Sequence, residues 1–281
     1  MRVSRSIAAV AAALALALAG CSSGNKDQSA EPTDETATSG EGEVVTLRVG
    51  ASPSPHANVL QFVQDNLAEA NGLNLDIIEY TDYIEPNKQL QAGNLDANWF
   101  QHIPYLEEWA AENNWEYERG EGTHLEPLGL YSSKHQSAED VPEGAVIGII
   151  NDPTNQERAL VLLSDQGFVE LPESGPINAA TVTTLNGVEL KEVEGPALVR
   201  NLQDLDFAAI NGNFAQEGGL TPADAVALES TENNPYVNVL VWNPDSPKIE
   251  SIKKLDALLH SPEVQEYISQ TWPDKSVIPA R

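Results

Sequence analysis

The chain has 281 residues, with 15 basic and 43 acidic side chains and a formal net charge of −28. That charge is repelled by phosphate backbones, which excludes counterion-release binding to nucleic acid. Hydrophobic residues make up 41% of the chain, too many for a disordered protein, and the length suits one large or two modest domains, each burying its own core without a disulfide or metal.

In chain order, the first segment is an address. Two arginines precede an apolar run over residues 7–19, followed by small residues up to Cys21, the only cysteine. This is the anatomy of an export signal, and the run is shorter than the roughly 20 residues of a membrane span. Leu18-Ala19-Gly20-Cys21 is similar to a bacterial lipobox. The resemblance implies a signal peptide over residues 1–20, cleavage before Cys21, and lipidation (palmitate) of that cysteine. Cleavage removes Arg2 and Arg5, which leaves no polybasic patch as a second anchor, so the lipid alone would hold the protein at the membrane. Residues 22–43 carry six acids, one lysine and no apolar side chain larger than alanine. With Cys21 they read as a disordered acidic tether over 21–43, with a reach of roughly 25 Å.

From residue 44 short apolar runs alternate with helical stretches, the rhythm of an α/β fold. Residues 44–50 predict a strand. Residues 56–71 predict a helix with Val59, Leu60, Phe62, Val63 and Leu67 on one face and Gly72 beyond its end. A strand over 74–80, a short helix over 85–92, a strand over 95–100 and a helix over 102–113 follow. A second series has a strand over 145–150, a helix over 155–165, the strand-like VELKEV, a helix over 197–205 and a strand over 206–210. The chain then returns through a strand over 236–242 to two helices opened by Ser246-Pro247 and Ser261-Pro262, serine as N-cap with proline at the first helical position. Crossovers near residues 132–136 and near Tyr236 divide the body into a first lobe of 44–133 plus 236–281 and a second of 134–235, with a hinge between them.

A search for catalytic motifs finds no nucleophile elbow, phosphate loop, dinucleotide fingerprint or zinc-protease helix, so no enzyme and no cofactor is expected. His56, His102, His124, His135 and His260 lie far apart without metal-type spacing, so no metal is expected either. Polar and aromatic residues do gather where strands end, the place where open α/β sheets bind ligands. Trp99-Phe100-Gln101-His102 with Tyr105 is one such cluster, with Tyr83 of a similar kind. Phe100 and Tyr105 as core with His102 as a helix cap is an equal reading. Residues 151–158 form a second cluster at a helix start, where free N–H groups and Arg158 suit a carboxylate; alternatively Arg158 pairs with one of the many acids. Asn211-Gly212-Asn213-Phe214 makes a third, where asparagine also serves turn geometry. Asn238 lies inside an apolar strand run, where its amide needs a partner.

The motifs DANWFQHIPYLEEW, NDPTNQERAL, AAINGNFA and PYVNVLV, with LRVGASPSPHA near the start and HSPEVQEYI near the end, make the chain similar to the MetQ/NlpA family of methionine-binding lipoproteins of ABC importers, from about Val44 to the end. The resemblance implies the type II periplasmic binding protein fold, two α/β lobes with a ligand cleft between them. It also implies partnership with an ABC permease and its ATPase, a monomer, and a place on the extracytoplasmic face of the cell membrane. Arg158 would hold the ligand carboxylate. Asn211, Asn213 and Asn238 would serve its polar groups, while Tyr83, Phe100, His102 and Tyr105 would wall the thioether chain. The family often has a smaller residue where this chain has Trp99. Other readings are the same class with another small amino acid, a methionine dipeptide or a sulfur compound as cargo, or a surface adhesin or sensor lipoprotein without a transport role.

Overall fold

The computed structural model describes residues 44–139 and 141–280; the expected signal peptide, Cys21 and the tether lie outside the described residues. The first half begins with β1 (Val45–Ala51) and a helical segment over residues 53–71 that includes α1 (Asn58–Val63). Gly72 ends it in the left-handed conformation at φ 68°, the C-terminal cap its position predicts. β2 (Leu73–Glu79), α2 (Glu85–Gln91), β3 (Ala97–His102), α3 (Ile103–Asn113), β4 (Glu118–Arg119) and β5 (His124–Leu125) follow. The second half holds β6 (Gly129–Tyr131), β7 (Val146–Ile150), α4 (Pro153–Asp165), β8 (Val169–Glu170), β9 (Thr183–Thr184), β10 (Glu189–Val193), α5 (Gly195–Asn201), β11 (Phe207–Ile210), α6 (Gly212–Glu217) and β12 (Ala225–Leu228). β13 (Val237–Trp242), α7 (Ile249–Leu259), α8 (Pro262–Thr271) and β14 (Ile278–Pro279) complete the chain.

Two mixed sheets result. The first has the order β14-β5-β13-β3-β1-β2, with β4 also on β13; the second has the order β10-β7-β11-β6-β12. β1 pairs in parallel with β2 and β3, while β13 runs antiparallel to β3. Helices cover both faces of each sheet, so β3 and β11 are buried along their whole length; β11 reads as an unbroken apolar run, while β3 also buries the polar Asn98, Gln101 and His102. Leu47, Val49, Trp99 and Leu240 pack with Leu60, Leu255 and Ile268 on one face of the first sheet, and Phe100, Val239 and Val241 pack with Leu106 and Trp109 on the other. The second sheet is likewise faced by Leu160 and Leu163 on one side and by Leu198 and Phe214 on the other.

Three expectations are corrected. β6 hydrogen-bonds to β11 and β12, so the chain enters the second sheet between Leu125 and Gly129, ahead of the expected crossing at 132–136. A three-residue strand buried on both sides carries no alternation that would reveal it. The strand expected over 95–100 runs on to His102, which places His102 at the strand end and the helix start together. Ser246 does not cap α7, which starts at Ile249 after Lys248; its hydroxyl accepts from the Lys248 N–H instead. Ser261 does cap α8, accepting from the Val264 N–H.

Candidate functional site

Strand ends from both sheets line one small cavity of about 20 Å³. The structure brings together at its wall all eight residues singled out from the sequence: Tyr83, Phe100, His102, Tyr105, Arg158, Asn211, Asn213 and Asn238. It adds Gln101, Glu126, Asn155 and Gly212.

The aromatic side is built by a bulge. Val239 faces Gln101 and Leu240 faces Trp99, so Phe100 is the extra residue in β3 and its ring is turned toward the cavity. Tyr83, Phe100 and Tyr105 lie 5.7 to 6.2 Å apart between ring centroids, and Phe214 stacks on Tyr83 at 4.8 Å. The Tyr105 hydroxyl donates to the Tyr83 carbonyl at 2.8 Å, and the Tyr83 hydroxyl donates to Asn213 Oδ1, a bond from the first half to the second. Trp99 points the other way. Its Nε1 donates to Thr123 Oγ1 at 3.0 Å and its ring meets His56 and His124 edge-on, so it lines no part of the cavity.

His102 serves as cap and wall at once, uniting the two readings of the sequence. Its Nδ1 accepts from the Tyr105 N–H at 3.1 Å, so the proton of the neutral ring lies on Nε2, which donates to Asn155 Oδ1 at 3.0 Å. Burial, with the Arg158 charge nearby, pushes His102 down to about 3 and keeps it neutral. Asn155 Oδ1 also accepts from Asn211 Nδ2 at 2.6 Å, while its Nδ2 donates to Asp152, the N-cap of α4. Asn155 is therefore one joint between the halves, beside the Tyr83–Asn213 bond. Sequence reasoning placed it in a helix-start cluster without singling it out, because nothing local distinguishes it from a capping residue.

Arg158 is 4% exposed. Its Nε and one terminal nitrogen fork onto Glu229, the same nitrogen reaches the Glu126 carbonyl at 2.9 Å, and the guanidinium lies 4.3 Å over the Tyr236 ring. The pairing with an acid that the sequence left open is thus present, and the acid is a specific, largely buried one. Both hydrogens on the other terminal nitrogen are without a hydrogen bond among the described residues. Asn211 Oδ1 is buried with no partner among the described residues. Asn238 Oδ1 meets His56 Nε2 at 3.1 Å, and its amide nitrogen makes no hydrogen bond among the described residues.

Behind this polar end His56, His124 and Glu126 gather, ligating atoms within 4.8 Å of one another. Sequence spacing does not reveal the group because it joins the segment after β1 to β5. The 2.8 Å bond between His124 Nε2 and Glu126 Oε1 is a proton-bridged contact, so the donor set is satisfied by hydrogen rather than spaced around an ion. Burial pushes Glu126 up to about 7, against the lowering effect of His56 and Arg158; burial also pushes His56 down to about 4 and His124 down to about 3.

Chemically, the arrangement offers a guanidinium edge and an amide N–H to an anion, a bare amide oxygen and a carboxyl to a cation, and an aromatic box to an apolar chain. The NlpA lipoprotein family profile matches residues 47–281. A solved structure described as a lipoprotein of Actinomyces odontolyticus is 56% identical, covering 85% of this chain and 100% of its own at a TM-score of 0.83. A nutrient binding protein from Burkholderia cenocepacia, solved bound to methionine, is 35% identical with a TM-score of 0.78, covering 84% of this chain and 100% of its own. A periplasmic substrate-binding protein of an ABC transporter from Coxiella burnetii is 33% identical with a TM-score of 0.78, covering 83% and 100%.

Proposed function

The chain belongs to the NlpA lipoprotein family, and from that premise we propose that it captures methionine between its two lobes and delivers it to the permease of an ABC importer. The observation that carries this reading is the match between the unpaired groups of the cavity and the three parts of the ligand. The free guanidinium edge of Arg158 and the Asn238 amide would take the carboxylate, Asn211 Oδ1 and Glu126 the ammonium, and Tyr83, Phe100, His102 and Tyr105 the thioether chain. A zwitterion taken out of water needs each charge paired, and an unbranched thioether gains from aromatic contact. Asn213 would act through Tyr83, closing the mouth.

Lobe 1 would comprise the first sheet and α7 and α8, lobe 2 the second sheet, with hinges in the crossings at residues 126–128 and 229–236. Cys21 would carry the lipid that anchors the protein to the extracytoplasmic face of the cell membrane, as a monomer and without catalytic activity. Methionine has nine heavy atoms, so at a ceiling of about 1.5 kcal/mol per atom only near-complete enclosure approaches nanomolar affinity. Native mass spectrometry of the purified full chain names any co-purified cargo, and calorimetry of the stripped protein with L-methionine, D-methionine and Gly-Met tests rebinding. Submicromolar binding of methionine is expected. An empty protein indifferent to all three ligands overturns the assignment.

A further inference from the structure

The hydrogen-bond donors around His124 fix where its protons lie. Thr123 has one hydroxyl hydrogen, and it is donated to the Asn238 carbonyl at 2.9 Å. Its oxygen accepts from Trp99 Nε1 at 3.0 Å, so the 3.1 Å contact with His124 Nδ1 requires that ring nitrogen to be the donor. In a neutral ring Nε2 then bears a lone pair, and it faces Glu126 Oε1 at 2.8 Å. Two bare acceptors do not sit at that distance, so one proton lies between them. His56 does not supply it: its Nε2 also lies 3.5 Å from Glu126 Oε1, but its hydrogen goes to the nearer Asn238 Oδ1 at 3.1 Å, and its Nδ1 is buried without a partner among the described residues.

We propose that His124 is a positioning residue that receives the Glu126 proton when the ligand's ammonium group binds, so that the cavity becomes anionic where the cation sits without releasing a proton to solvent. The inference rests on the methionine reading above. In the empty protein Glu126 is a neutral carboxyl donating to His124 Nε2. On binding, the O–H bond of Glu126 breaks and its electron pair stays on the carboxylate, which accepts from the ammonium. An N–H bond forms at His124 Nε2, giving an imidazolium held by Glu126 on one side and Thr123 on the other. The raised carboxyl and lowered imidazole favour the neutral pair while the site is empty; an adjacent cation reverses the preference. The other groups that bear on Glu126 are His56 from the segment after β1, whose Nε2 lies 3.5 Å from Oε1, Arg158 from α4, Glu217 from α6 and Tyr83; His56 and Arg158 favour its ionised form, and its charge disfavours ionisation of Glu217 and Tyr83.

The test uses the full chain in detergent, stripped of ligand and labelled with nitrogen-15 in histidine. The empty protein is expected to show a neutral ring protonated on Nδ1, assigned to His124 by its disappearance in His124→Gln, and saturation with L-methionine should convert it to imidazolium. A ring that stays neutral, or one that is imidazolium in both states, overturns the proposal. Calorimetry at pH 6 in buffers of different ionisation heat gives a second readout. Wild type should bind methionine with no proton released, whereas His124→Gln should release close to one proton per site. Proton release by the wild type, or none by a variant that still binds, also overturns it. If methionine evokes no heat at all, the methionine reading fails and the relay fails with it.

Discussion

Arg158 carries the sharpest expectation at the scale of a single residue. Its fork is occupied by Glu229, which leaves one guanidinium edge free at the cavity and holds it in place. Arg158→Ala should weaken methionine binding by about 3–5 kcal/mol, because two buried carboxylates lose their partner together. Arg158→Lys should recover little of this, since an ammonium offers no planar fork to hold two acids at once. Titration calorimetry decides the matter, and a loss of tenfold or less would remove Arg158 from the carboxylate site. The residue types were legible in the sequence because an asparagine inside an apolar strand or an arginine after a buried strand needs a reason to be there. Glu126 and Asn155 were not, since an acid in a chain of 43 acids and an asparagine in a helix's first turn look like surface and cap. Trp99, which stood out as a departure, lies behind the wall and bears on it only through Thr123 and the histidines.

At the scale of elements, the polar end of the site depends on how α4 begins. Asp152 caps the helix through the Asn155 N–H at 2.9 Å and also holds the Asn155 side chain that joins His102 to Asn211. Asp152→Ala should cost about 1 kcal/mol of stability for the lost cap and lower methionine affinity as well, because Asn155 is freed to turn. Asp152→Asn preserves an acceptor and separates charge from shape. Burial raises the Asp152 carboxyl from 3.8 to about 6, outweighing the Asn155 hydrogen bonds that lower it. For an acid raised in this way the favourable contribution is complete below its unfolded value and is lost as pH rises through the folded one. The Asn variant should therefore match wild type near pH 4 and exceed it in stability above pH 6, as read by urea unfolding at the two pH values; an unchanged difference would mean that the carboxyl is not raised. Strands and helices with clear apolar periods were placed from the sequence to within a few residues. The bulge at Phe100, the short strands from Glu118 to Tyr131, and α6 were not, since each is defined by its pairing partners or is too short to show a period.

At the scale of the whole molecule, the two sheets are joined by crossings that are themselves tied together. The Leu128 N–H donates to Glu229 Oε1 at 2.9 Å, and the Glu229 N–H donates to the Leu128 carbonyl at 3.0 Å, which ties the two passages into one strap beside Arg158. No feature of the site consumes the strong acidity: the cavity uses Glu126, with Glu229 and Asp152 behind it, and most of the remaining acids among the described residues are at the surface. Like charges spread over a compact body repel one another more than they do in an expanded chain, and salt shortens that repulsion from about 10 Å at 0.1 M to about 3 Å at 1 M. At pH 7.5 the melting temperature should therefore rise as sodium chloride increases over that range. Near pH 4.5, close to the isoelectric point of about 4.3, the same salt should do much less because the net charge has almost vanished. General strengthening of apolar burial by salt would raise both melting points alike. Only a gain confined to neutral pH assigns the effect to charge repulsion, and equal gains at the two pH values would attribute it to burial instead.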